Sequence, residues 1–267
     1  MAAYASGMRG VRGVIAAIGA LLLVGGIAAA PAYALAGGVA ADPGQYPFAV
    51  KLTMTGIPTT TGGTYNSACS GALISPDWVI TAGHCFHDVN RNRVSGPVPY
   101  PTTATFNTTT TNPAAKTAVT FSVDTVEQSP NADIAIAHLS GASAANDPVT
   151  PLHLATTRPP KGEIVTMAGW GSTQDTNPVP SNQLYWGRMK VTGTTSTTVS
   201  VKGYYPSPDT SACVYDSGAP YFTSATTPLL VSTESNGPDC PHTSAEATAR
   251  VDDQVNWIKS RVHDLPA

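Results

Sequence analysis

Charge is scarce in this 267-residue chain: Asp, Glu, Lys and Arg make up 12% of it, and the net charge is −3. A nucleic-acid partner needs a basic stripe to neutralise its phosphates, and none is present, which sets that class aside. The cysteines, at positions 69, 85, 213 and 240, include no C-x-x-C knuckle, so the usual signature of a structural zinc site is missing. No acidic cluster argues for calcium, and nothing calls for a metal or another cofactor. No internal repeat is visible. Helical periodicity is nearly absent, whereas Gly (24) and Pro (23) are abundant beside many Thr and Ser, the composition of a loop-rich extracellular all-β protein.

One long apolar run occupies residues 14–30, after Arg9 and Arg12, and leads to Ala32-Tyr33-Ala34, a small-x-small signal-peptidase site. The run is diluted by Gly and Ala and is short for a bilayer span. Residues 1–34 therefore read as a signal peptide. Residues 35–267 read as the exported protein, with no membrane attachment after cleavage and length enough for its own core as a monomer. All four cysteines lie there, an even number that suits two disulfides in an oxidising compartment. Three pairings can be drawn; the sequential one, Cys69 with Cys85 and Cys213 with Cys240, is the simplest.

Strand signals recur at short intervals. Phe48, Val50, Leu52 and Met54 alternate with small or polar residues. Ala72-Leu73-Ile74 meets a turn at Ser75-Pro76-Asp77 and resumes as Trp78-Val79-Ile80, a hairpin pattern. Further runs lie at 119–123, 134–139, 164–168, 198–201 and 229–231, which suggests a barrel or a sandwich. Residues 87–118 read as long surface loops around short strands, and 140–147 could join two halves. Only the chain end reads as a helix: Val251, Val255, Ile258 and Val262 recur at helical spacing, with Asp252 and Asp253 at its start and Lys259 and Arg261 at its end.

Three segments carry chemistry. In Thr81-Ala82-Gly83-His84-Cys85, a disulfide at Cys85 would hold the imidazole in one orientation, as a general base requires. In Asn131-Ala132-Asp133-Ile134, a lone acid borders an apolar strand and needs a partner such as a histidine N–H. In Cys213-Val214-Tyr215-Asp216-Ser217-Gly218-Ala219-Pro220, a serine sits in a tight turn beside another cysteine. A nucleophile, a base and a carboxylate are what metal-free peptide hydrolysis needs. The other histidines, at 87, 138, 153, 242 and 263, read as surface or packing residues.

Together these segments resemble the chymotrypsin/trypsin family of serine proteases, in that family's His, Asp, Ser order, and specifically its secreted, bacterial-type members. Gly37-Gly38, Pro43-Gly44-Gln45-Tyr46-Pro47, Gly169-Trp170-Gly171 and Arg250-Val251 leading to Trp257-Ile258 extend the likeness over nearly all of 35–267. The resemblance implies an all-β fold of two packed six-stranded antiparallel β-barrels, 35–145 and 146–267, with a C-terminal α-helix. It implies His84 as base, Asp133 as its orienter, Ser217 as nucleophile, and the N–H groups of Tyr215 and Ser217 as oxyanion donors. It also implies that a freed Leu35 amine pairs with Asp216. A cut after Ala34 would expose that amine directly, without a separate propeptide. Polypeptide substrates, and a proteinaceous inhibitor, are the partners that follow.

Departures from the family pattern fall on the oxyanion turn and the pocket. Tyr215 and Ala219 stand where glycine is usual, and Gly83 stands where alanine is usual. A Tyr215 N–H that pointed away would leave a binding homologue with impaired catalysis as the alternative function. An esterase using the same serine lacks its G-x-S-x-G elbow. Counting back from Ser217 puts Ser211, without charge, at the pocket base, so the residue preceding the scissile bond (P1) is expected to be apolar or aromatic. Ser232, Thr233 and Glu234 are expected to form the pocket wall, with Ser232 bordering Asp133, and Glu246 to lie near it. A base must be neutral to accept a proton, so kcat/KM should fall below about pH 6 to 7. A rate profile from pH 4 to 9 checks this, and full activity at pH 4 would contradict the role of His84.

Overall fold

The computed structural model describes residues 1–2 and 35–266. The signal-peptide expectation falls on residues outside those described. Among the described residues, the strands in chain order are β1 (Val39–Ala40), β2 (Ala49–Pro58), β3 (Thr64–Ser75), β4 (Trp78–Thr81), β5 (Gly96–Pro97), β6 (Thr102–Phe106), β7 (Val119–Gln128) and β8 (Ala135–Leu139). They continue as β9 (His153–Leu154), β10 (Ile164–Gly169), β11 (Tyr185–Thr194), β12 (Thr198–Tyr205), β13 (Pro220–Thr223), β14 (Leu229–Asn236) and β15 (Glu246–Arg250), and helix α1 (Val255–Lys259) follows.

The apolar alternation in β2 places Val50, Leu52 and Met54 inside, and β3 pairs with it so that Leu52 faces Cys69 and Ala49 faces Ala72. Pro76 and the Ser75 hydroxyl, which donates to Asp77 Oδ1, turn the chain into β4, giving the expected hairpin. The order β7-β6-β2-β3-β4-β8 then closes through a β7–β8 pairing, an antiparallel six-stranded barrel with β5 added at β7. The order β11-β10-β13-β14-β15-β12 closes through β11–β12 in the same way. Closure removes the unpaired edges that an open sheet would present. The chain is thus the expected pair of barrels.

The chain segments do not divide between the barrels as simply as their order suggests. β1 pairs with β11 of the second barrel, and Leu35, fully buried, packs in that barrel's core with Val165, Met189 and Tyr221. The first barrel's core holds Leu52, Leu73, Ile80 and Ile136. Phe48 and Phe222 meet edge to face across the seam at 5.1 Å, and Tyr46 meets Phe222 at 5.2 Å.

α1 is shorter than the apolar spacing suggests. Arg250 engages Asp252 through both its Nε and Nη2 and donates to the Thr195 and Ser196 carbonyls, which holds residues 251–254 in turns. Val251, Ile258 and Val262 still face the core. Gln254, just before α1, accepts the Ser129 hydroxyl at 2.7 Å, which fastens the C-terminal segment to the first barrel.

Candidate active site

His84 follows β4 in a single 3-10 turn, Gly83–Cys85, and is held from several sides. The Cys69–Cys85 disulfide ties that turn to β3, and the Tyr100 hydroxyl donates to the Cys85 carbonyl. Gln128 Nε2 donates to the carbonyls of Gly83 and Phe86. Asp133, just before β8, accepts the His84 backbone N–H at 2.9 Å and lies 2.7 Å from His84 Nδ1. On the other ring face, His84 Nε2 lies 2.8 Å from Ser217 Oγ. Three residues distant in sequence therefore form one hydrogen-bonded chain.

Burial alone would raise the Asp133 pKa, but the hydrogen bonds and charge of His84, with the Ser235 hydroxyl at 2.7 Å, outweigh it and hold the carboxyl below its ordinary value. Asp133 thus stays ionised, and its Oδ2 accepts from an imidazole Nδ1–H, which leaves Nε2 free to accept the Ser217 proton.

Ser217 stands after a four-residue turn closed by the Asp216 N–H on the Cys213 carbonyl at 3.0 Å. The third residue of that turn is Tyr215, at φ 77°, the positive torsion that a type II turn requires and that glycine usually supplies. Among the described residues, the N–H groups of Tyr215 and Ser217 donate to no acceptor. Gly218, at φ 83°, has no room for a side chain, because a Cβ would run into Thr81 Oγ1 and the Ser70 carbonyl. The Cys213–Cys240 bridge and the Ser70 N–H on the Ser217 carbonyl, at 2.9 Å, anchor the turn. Both disulfides are the sequential pair.

Asp216 is completely buried. Its oxygens take the Gly171 N–H at 2.8 Å and the Cys213 N–H at 3.0 Å, and no cation is paired with it among the described residues. Burial pushes its pKa up to about 7. Leu35 is buried nearby in sequence to Ala36, which bridges Ser211.

The cleft beside Ser217 has a volume of about 300 Å³ and is lined by His84, Ala212, Tyr215, Glu234, Asn236 and Gly237, among others. Two expectations for its wall need correction. Ser232 and Thr233 are buried in β14 and neither lines the cleft: Ser232 Oγ accepts the Thr248 hydroxyl at 2.7 Å within the second barrel. The residue on Asp133 is Ser235, three positions later. A bulge in β14 sets Glu234 against Thr248 and Asn236 against Ala247, which leaves Ser235 unpaired and re-aimed. Ser211 is buried behind Ala212, with its Oγ on the His242 N–H at 3.2 Å. Glu246 is buried at the start of β15.

Arg93 escaped the sequence reading because it sits in a loop without period. Its Nη1 donates to the Ala132 carbonyl at 2.6 Å and lies 3.9 Å from Asp133 Oδ1. It also accounts for Gly83: a Cβ there would come within 2.7 Å of both Arg93 Nη1 and Gln128 Oε1. Gly83→Ala should therefore push these two side-chain ends aside and destabilise the fold by about 1 kcal/mol, to be read by denaturant unfolding. An unchanged midpoint would show that the space is free.

Comparisons with known proteins place the chain in a family. A family model described as Trypsin matches residues 35–258. The chain is 29% identical to tonin of Rattus norvegicus over 122 residues, covering 43% of this chain and 47% of that protein. It is 27% identical to trypsin alpha-4 of Lucilia cuprina over 147 residues, covering 51% and 52%. With kallikrein 1-related peptidase b22 of Mus musculus it shares 29% over 109 residues, covering 39% and 42%. The chain thus spans about half the length of the curated relatives it matches.

Proposed function

We propose that this chain, which belongs to the trypsin family of serine proteases, is a secreted endopeptidase that cleaves polypeptides through an acyl-enzyme on Ser217. The observation that carries the reading is the unbroken chain from Asp133 through His84 to Ser217, at 2.7 and 2.8 Å. Ser217 Oγ attacks the scissile carbonyl while His84 Nε2 takes its proton. Asp133 holds the ring in the required tautomer and stabilises the imidazolium. His84 then returns the proton to the departing amine. Water, deprotonated by the same imidazole, releases the acyl group and restores Ser217.

The N–H groups of Tyr215 and Ser217 receive the negative charge that develops on the carbonyl oxygen. One such donor is worth about 3 to 4 kcal/mol. A non-catalytic binding homologue would have rested on Tyr215, and its glycine-like torsion weakens that alternative. Two disulfides and a signal-like leader support export. Ser211 contributes no charge, and on that residue alone the P1 side chain would be apolar or aromatic.

The turn that carries Ser217 is completed when cleavage after Ala34 frees the Leu35 amine to pair with Asp216. A fully buried carboxyl with N–H donors and no cation supports this role, as does the start of the family match at residue 35.

A fluorophosphonate should label the protein one to one at Ser217, with no label on Ser217→Ala, as read by peptide mass spectrometry. Failure of the wild type to label would overturn the enzymatic reading. Secreted protein that retains Ala34 should still fold, with a lower melting temperature, yet lose about 100-fold or more in kcat/KM, since breaking a buried ion pair costs about 3–5 kcal/mol. Full activity of that form would remove the Leu35–Asp216 pair from the mechanism.

A further inference from the structure

Behind the cleft lies a cluster that the hydrolytic steps do not use. Glu234 lines the cavity together with Ser217, yet it is only 4% exposed. Its Oε2 is 2.6 Å from the Tyr221 hydroxyl, and the same hydroxyl is 2.9 Å from Oε2 of Glu246. Glu246, 2% exposed, takes the Ala212 N–H at 2.6 Å on its other oxygen. Ala212 and Gly237 are cavity wall, and a Cβ at Gly237 would lie 3.1 Å from Glu246 Cγ, so Glu246 sits directly behind that wall.

Counting hydrogens constrains the state of this cluster. A phenol carries one proton and donates it to one oxygen. Two carboxyl oxygens at hydrogen-bond distance from that phenol require a second proton, carried by one of the acids. Electrostatics points the same way. Burial, then mutual repulsion, lifts the Glu234 pKa well above its ordinary value, and burial lifts that of Glu246 to about 7.

Among the described residues no Lys or Arg faces the pair, and the Leu35 amine proposed for the mature chain is already matched to Asp216. Asp216 adds repulsion, and the exposed Asp175 and Asp239 line the same cavity, in which no Lys or Arg takes part. His242 Nε2 is 3.4 Å from Glu246 Oε1, but burial lowers the His242 pKa and favours its neutral form. The Ser244 backbone pulls the other way, but burial outweighs it.

We propose that Glu234 and Glu246 are a proton-sharing pair that selects the P1 residue by charge. A Lys or Arg side chain entering the cavity displaces the shared proton to solvent and is held by the resulting carboxylates. With the proton in place, the cavity takes an uncharged side chain. The inference rests on Ser217 as nucleophile, since that defines which cleft receives P1. Its sign follows from two acids with raised pKa: as pH climbs the pair gives up its proton, and only the cationic substrate gains. The titration of His84 affects both substrates alike and cancels in their ratio.

Two peptides that differ only in P1, Lys against Met, test this between pH 6 and 9. The ratio of their kcat/KM values should climb with pH across this range, by up to about tenfold per unit where the pair still holds its proton. In Glu234→Gln, which mimics the protonated acid, the ratio should stay flat and low. Binding of benzamidine to Ser217→Ala, measured calorimetrically at pH 7 in buffers of different ionisation heat, should release protons, up to about one per site. A ratio that does not change with pH, or an amidine that binds without proton release or not at all, overturns the inference, whatever the folding of Glu234→Gln. These outcomes leave the endopeptidase reading standing if Ser217 labels. If it does not label, calorimetry still decides the pair's proton.

Discussion

The seam between the two barrels is the constraint on which the site depends. His84 and Asp133 belong to the first barrel and Ser217 to the second, so their hydrogen-bonded chain exists only while the barrels keep one relative position. Ser70, in β3, spans the seam: its N–H holds the Ser217 carbonyl at 2.9 Å, and its hydroxyl donates to the Tyr215 carbonyl at 3.2 Å while accepting the Trp170 N–H at 2.9 Å. The aromatic contacts of Phe48 and Tyr46 with Phe222 add rigid apolar area to the same boundary. Close-packed interiors move little, which is what keeps a 2.8 Å approach of imidazole to hydroxyl.

Buried acids are the second organising feature. Asp216, Glu234 and Glu246 lie around the turn that carries Ser217, each almost entirely out of water. Burying an unpaired carboxylate is costly, and such groups answer it by hydrogen bonding or by keeping a proton. Asp216 meets two backbone N–H donors, and Glu234 and Glu246 converge on one phenol. The positions of Gly169 and Gly171 follow from this arrangement, because a Cβ at either would collide with the Asp216 carboxyl.

Much of the architecture was legible because it rests on local pattern. The alternation of Val50, Leu52 and Met54 announces β2, and Ser75-Pro76-Asp77 announces the turn into β4. The segments around His84, Asp133 and Ser217 could be read because each carries its own local signal: a disulfide cysteine, an acid against an apolar strand, a tight glycine turn. Strands such as β13 and β15 were not readable, since Pro220-Tyr221-Phe222-Thr223 and Glu246-Ala247-Thr248-Ala249-Arg250 show no clean period and are stabilised by neighbours on both sides. The assignment of Ser232 in place of Ser235 failed for a definite reason: two serines in one strand look alike along the chain, and only the bulge in β14 decides which one turns toward Asp133.

The amino-acid sequence by itself determined the strand-rich class and the three chemical groups with their order, and it offered the sequential disulfide pairing that the fold adopts, because composition, spacing and short motifs act over a few residues. Tertiary structure alone decided that Tyr215 would take a glycine's torsion, that Arg93 would fill the space beside Gly83, and that Glu234 and Glu246 would meet at one hydroxyl. Those outcomes depend on distances between segments separated by tens of residues, set by how the barrels close and pack, and no local pattern encodes them.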